Sequence, residues 1–93
     1  MEKKNEASKK EFGERLKKIR NEGSLSQEQL GKTLGYKNPR SDISNLENGR
    51  KYPSVDKLIK LAESLPVSID YLLLGKKVTW IKSYEDSENL ENN

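Results

Sequence analysis

This chain has no cysteine and no histidine among its 93 residues. The first absence removes disulfides and thiolate metal sites, and the second removes the commonest general base. Hydrophobic residues make up only 31% of the chain and aromatics 6%, against 35% charged. A core must therefore be assembled from few side chains, and the length supports one small domain and no more. No apolar run approaches the roughly 18 residues of a membrane span. The N-terminal MEKKNEASKKEF is charged and leads into no apolar segment, so it does not read as a secretory signal. From this composition we expect no cofactor, no metal, no membrane association and a cytoplasmic location. An enzyme would lack its easiest tools.

What is present is charge, unevenly spread. Residues 1–22 carry eight Lys/Arg against five Glu, and residues 23–52 carry five against three acids. Residues 53–75 and 76–93 are each slightly acidic. The basic half can attract phosphate, although a lysine-rich solvated face would look the same.

Taken in order, residues 1–8 read as a polar arm. Ser8-Lys9-Lys10-Glu11 fits a capping box. Phe12, Leu16 and Ile19 then recur at i, i+4, i+7, predicting a first helix over about 9–21 that Gly23 ends. Ser26-Gln27-Glu28-Gln29 is a second capping box, with Leu25 as a staple before it. The helix it starts turns Leu30 and Leu34 inward and stops at Gly35. Gly31 inside that helix signals close approach of another backbone.

Asn38 to Gly49, NPRSDISNLENG, predicts a short third helix. Asn38 suits the cap, Pro39 the first position, and Gly49 a left-handed C-terminal residue. Only Ile43 and Leu46 are large and apolar there, which leaves Arg40, Ser41, Ser44 and Asn45 on the other side. Ser54 caps a fourth helix with Leu58, Leu61, Ala62 and Leu65 inward, and Pro66 pushes Leu65 to extended geometry. Ser68 caps a fifth, with Ile69, Leu72 and Leu73 inward, and Gly75 closes it. After residue 75 the chain changes character: Val78-Thr79-Trp80-Ile81 is apolar, and EDSENLENN is acidic.

A capped helix, a glycine turn and a second capped helix form the helix-turn-helix layout. The span from Phe12 to Gly75 resembles the XRE/Cro family of helix-turn-helix repressors, in the phrases FGERLKKIR, LSQEQLGKTLG, ISNLENGRKYPS and VSIDYLLLG. The resemblance implies an all-α, five-helix lambda-repressor-like DNA-binding domain over 9–75. Its helix-turn-helix would lie at the second and third helices. Its partners would be a pseudo-palindromic duplex operator and a second copy of the chain. Residues 76–93, beyond the resemblance, read as a C-terminal tail with a candidate dimerisation segment and then a disordered acidic end. The family's positions put base reading on Arg40, Ser41, Ser44 and Asn45. They put phosphate contact on Gln27, Lys37, Asn48, Arg50 and Lys51, and an ion pair on Arg20 and Glu47. From Gly35 to Ile43 this chain is two residues longer than the usual family turn, and Pro66 replaces the usual glycine.

The chemistry of each residue leaves alternatives. Arg40 suits guanine O6 and N7, or phosphate, or water with Asp42 as counter-charge. Asn45 suits adenine N6 and N7, or phosphate, or nothing at all. Arg50 and Lys51 are a phosphate grip or a solvated loop, and Arg20 and Glu47 a pair or unrelated charges. Trp80 and Tyr84 offer a subunit contact or fold back on their own core. An antitoxin-type module, whose tail binds a partner protein, is the alternative to a repressor of phage, mobile-element or own-operon genes.

Overall fold

The structure, a computed structural model, describes the backbone of residues 2–76 and the side chains of residues 8–76. These residues form five α-helices and no strand: α1 Glu2–Glu22, α2 Gln27–Leu34, α3 Pro39–Glu47, α4 Val55–Ser64 and α5 Ile69–Leu74. α3 packs on both α1 and α2, while α4 leans on α2 and α5 on α1. Phe12, Leu16, Leu30, Leu34, Ile43, Leu46, Leu61, Leu65 and Leu72 make the buried core. Full burial of such a side chain is worth about 1.5–3 kcal/mol, so each helix adds to stability chiefly through one or two of them.

Most helix ends follow the local signals. Ser26 Oγ accepts from the Gln29 N–H at 3.0 Å and Gln29 Oε1 accepts from the Ser26 N–H at 2.8 Å, completing the capping box. Ser54 and Ser68 accept from the N–H groups of Lys57 and Tyr71. Leu65 is extended before Pro66, at φ −122° and ψ 144°, as the proline ring requires.

Three expectations are corrected. α1 begins at Glu2, so Ser8 lies inside the helix rather than capping it; residues 2–7, EKKNEA, include good helix formers and nothing that stops a helix. The helix ends just before Gly23, as expected, and its C-terminal left-handed residue is Ser24 at φ 57°. The Ser24 N–H reaches the Asn21 carbonyl and the Leu25 N–H the Arg20 carbonyl, both at 3.0 Å, which is the Schellman pattern with serine in glycine's usual place. Asn38 makes no side-chain cap bond; its carbonyl instead accepts from the Asp42 N–H at 2.8 Å. Ala62 is exposed, so the buried stripe of α4 is narrower than its spacing suggests.

Glycine sets how closely α3 is held. A Cβ on Gly31 would stand 2.5 Å from Pro39, and one on Gly13 2.5 Å from the carbonyls of Leu46 and Glu47. α2 therefore touches the start of α3 and α1 touches its end. Arg20 and Glu47 lock that arrangement: Arg20 Nε and Nη2 donate to the two Glu47 carboxylate oxygens at 2.5 and 3.1 Å. Nη1 donates to the Leu25 carbonyl at 2.7 Å. Only 10% of the Arg20 side chain and 3% of that of Glu47 are exposed. Sequence reasoning did not assign Arg15, whose Nε and Nη2 donate to the Leu72 and Leu73 carbonyls at 2.8 and 3.1 Å and so close the end of α5.

Glu47→Ala leaves the Arg20 guanidinium buried without its charge partner, and is expected to cost about 3–5 kcal/mol in urea unfolding. In a double-mutant cycle with Arg20→Ala the two changes should fall well short of additive; simple additivity would mean that the two side chains act independently. Ser24→Gly should act in the opposite direction. It relieves a left-handed strain of about 1–2 kcal/mol, less about 0.5–1 kcal/mol for the freedom glycine gains in the unfolded chain. A higher melting temperature is the expected result, and a lower one would show that Ser24 is held there by contacts worth more than the strain.

Candidate nucleic-acid interface

α3 is held by Ile43 and Leu46 in the core, so its opposite face is set by helical geometry. Arg40, Ser41 and Asn48 are exposed on that face and Ser44 and Asn45 half-exposed. Lys37 lies exposed in the four-residue turn Gly35–Asn38, and Arg50 and Lys51 are exposed beyond the C-terminus of α3. The structure thus leaves the residues singled out in α3, its preceding turn and its following loop exposed or half-exposed around α3.

Several of these side chains are already engaged with one another. Asn48 Nδ2 donates to Ser44 Oγ at 3.2 Å, Arg50 Nη1 to Asn45 Oδ1 at 2.9 Å, and Lys51 Nζ to Asp42 Oδ1 at 3.3 Å. Among the described residues Lys37, Arg40 and Ser41 have no side-chain hydrogen-bond or ion-pair partner. Asp42 is therefore the counter-charge of Lys51 and not of Arg40. Arg40 instead lines a cleft with Arg20, Ser26, Gln27 and Glu28, at the start of α2.

Gln27 Nε2 donates to Glu47 Oε1 at 3.0 Å, so the buried pair also orients the first residue of α2. The second amide hydrogen of Gln27 is left to donate elsewhere. Gln27 and Asn48 line a second cleft with Lys10, Glu14, Lys17 and Glu47. Sequence reasoning missed Lys10 and Lys17. Their signal was a charged i, i+4, i+7 row on the first helix beside the Phe12–Leu16 stripe, which by itself is indistinguishable from a solvated face.

A basic corner at the α2–α3 turn was also missed. The Lys57 ammonium stands 4.9 Å from the Tyr36 ring centre and that of Lys51 5.7 Å away. Lys57 Nζ also donates to the Gly35 carbonyl at 3.3 Å. Burial raises the Tyr36 hydroxyl above its ordinary pKa, and the Asp42 charge adds to the effect. The hydroxyl therefore stays protonated, and able to donate, at neutral pH.

Trp80 and Tyr84 lie outside the described residues. Among the described residues no group of three or more His, Cys, Asp or Glu is placed to hold a metal ion, and no helix is long and apolar enough to cross a membrane. Chemically the α3 side offers guanidinium, ammonium, amide and hydroxyl groups. Asp42 and Glu47, the acids of α3, are both neutralised by a cation.

Comparison with known proteins gives the same family. A family model described as Helix-turn-helix matches residues 16–72. The HTH-type transcriptional activator BcrR of Enterococcus faecalis is 35% identical over 81 residues, which cover 87% of this chain and 39% of that protein. The SPbeta prophage-derived uncharacterized HTH-type transcriptional regulator YonR of Bacillus subtilis strain 168 is 41% identical over 64 residues, 69% of this chain and 57% of that protein. The chain thus spans less than two thirds of the length of either relative. No solved structure matches it at a significant level. With the matched span covering more than half of the sequence and falling on the helices built around α2 and α3, the chain belongs to the XRE-like helix-turn-helix family of DNA-binding transcriptional regulators, which is not a family of enzymes.

Proposed function

We propose that the chain is a sequence-specific repressor that acts in the cytoplasm, as a homodimer on a pseudo-palindromic operator with half-sites about 10 bp apart or a multiple of it. The observation that carries this reading is the outward side of α3, where donors and hydroxyls gather and Asp42 is tied to Lys51. Arg40, Ser41, Ser44 and Asn45 read base edges, while Gln27, Lys37, Asn48, Arg50 and Lys51 hold phosphates. Lys10 and Lys17, which share a cleft with Gln27 and Asn48, extend that grip. Residues 9–75 are the DNA-binding unit. For the subunit contact, Leu74 is 58% exposed at the end of α5, and Val78, Trp80 and Ile81 follow it in the sequence.

Repression follows from occupancy alone, because a bound domain blocks whatever else needs the same duplex. BcrR is named an activator, and this chain spans 39% of it; a reporter fused to the selected operator decides the sign here. Selection of bound sequences from random duplexes, read beside the mass in solution, tests the rest. A two-fold symmetric site and a dimer mass are expected, and a pool that stays random would overturn the reading.

Arg40→Ala should relax preference at one guanine and cost about 1–3 kcal/mol on the best site, with less loss on unrelated DNA. Equal loss on both would make Arg40 a phosphate contact, turned from the groove by the long α2–α3 turn. Lys51→Ala should instead weaken all sequences alike and reduce the salt slope by about one. A changed base preference with an unaltered slope would make Lys51 a reader.

A further inference from the structure

Asn45 and Arg50 stand at the two ends of the turn that closes α3. Gly49 takes the left-handed position at φ 74°. The Gly49 N–H reaches the Leu46 carbonyl at 3.1 Å and the Arg50 N–H the Asn45 carbonyl at 3.0 Å. These two bonds lay the residue after the glycine over the residue five places before it. In such turns an apolar contact frequently joins that pair of side chains. Here the contact is polar, Arg50 Nη1 donating to Asn45 Oδ1 at 2.9 Å. Backbone and side chain thus tie the same two residues together.

The bond also settles which way the Asn45 amide faces. Amide oxygen and nitrogen have nearly the same shape, but a guanidinium has donors only, so the atom it meets is the oxygen. What Asn45 presents unhindered is Nδ2 with its hydrogens, while the second lone pair of Oδ1 lies beside the guanidinium. An asparagine that reads adenine needs both ends of its amide, the oxygen accepting from N6 and the nitrogen donating to N7. With one lone pair of Oδ1 taken by Arg50, the N6 amino group of adenine would have to use the other one, beside a guanidinium charge that repels its hydrogens. Guanine presents two acceptors side by side, N7 and O6, and asks only for donors.

We infer that Arg50 is a positioning residue that sets the base preference of Asn45, biasing it from adenine toward guanine, which it meets as a donor. This rests on the DNA-reading role proposed for α3. It reassigns part of the work of Arg50, whose other N–H groups stay available to phosphate.

The test is selection from random duplexes with the full chain and its Asn45→Ala, Arg50→Ala and Arg50→Lys variants, with circular dichroism to confirm that each is folded. Asn45→Ala identifies the base pair that depends on Asn45. At that pair the unaltered chain should prefer guanine. Arg50→Ala should move the preference toward adenine by about fivefold or more, the lower end of what one bidentate base contact provides. Arg50→Lys, which keeps a charged donor, should retain guanine. Adenine preference in the unaltered chain overturns the inference, as does an Arg50→Ala variant that binds more weakly with the same preference, or an Asn45→Ala variant that changes no position. In these three cases the DNA-reading function stands. A chain that enriches no sequence removes that function, and this inference with it.

Discussion

The buried pair of Arg20 and Glu47 is the constraint on which the interface depends. A carboxylate near the end of α3 and a guanidinium in the last turn of α1 have left water together. Burial of this kind costs several kcal/mol per ion unless the hydrogen bonds are also satisfied. Here they are: Glu47 accepts from Arg20 and from Gln27, and Arg20 has Leu25 as a further partner. One cluster thereby fixes the end of α3 against α1, the first residue of α2 and the loop between those helices. A shift of α3 across its neighbours would have to break a charge pair in a place where water has little access.

The glycine contacts explain why α3 cannot drift at its other end. Pro39 rests on the backbone of α2 where Gly31 has no side chain, and Gly13 admits the last carbonyls of α3 to α1. Steric contact thus complements electrostatics at the two ends of a nine-residue helix. The exposed polar face gains its definition from these hidden contacts.

The sequence foretold what is decided within a few residues. Capping serines, apolar spacing, the proline after Leu65 and the glycine turns all act over one helical turn, and the helices other than α1 begin where those signals stand. The order of the ISNLENG phrase also pointed to Arg20 and Glu47, although only by resemblance. What could not be read depends on partners far along the chain. Arg15 meets carbonyls 57 and 58 residues away, and no spacing rule records that. Ser24 takes a left-handed conformation that no local pattern marked for a serine. Ala62 looked inward by spacing, but the neighbouring helices cover only the side of α4 that carries Leu61 and Leu65. The basic corner at Tyr36 needed the placement of α4 beside the turn, which no local pattern reveals.

Pairing on the α3 face gives the last step. An exposed hydrogen bond in water is worth little, because both partners would otherwise bond to water. The Asn45–Arg50, Ser44–Asn48 and Asp42–Lys51 contacts therefore add little to stability. Their consequence lies in the state each side chain is in when a duplex arrives. A long arginine or lysine must give up rotamer freedom of up to about 2 kcal/mol when it is fixed in an interface. A side chain already leaning on its neighbour has lost part of that freedom beforehand, and meets its target in a limited set of orientations. Within this face Lys37, Arg40 and Ser41, which have no such partner among the described residues, sit at the N-terminal end of α3. The pre-paired groups run along the helix toward its C-terminal loop. The face is thus divided between an open end, free to adapt, and a pre-arranged end whose choices the fold has already narrowed.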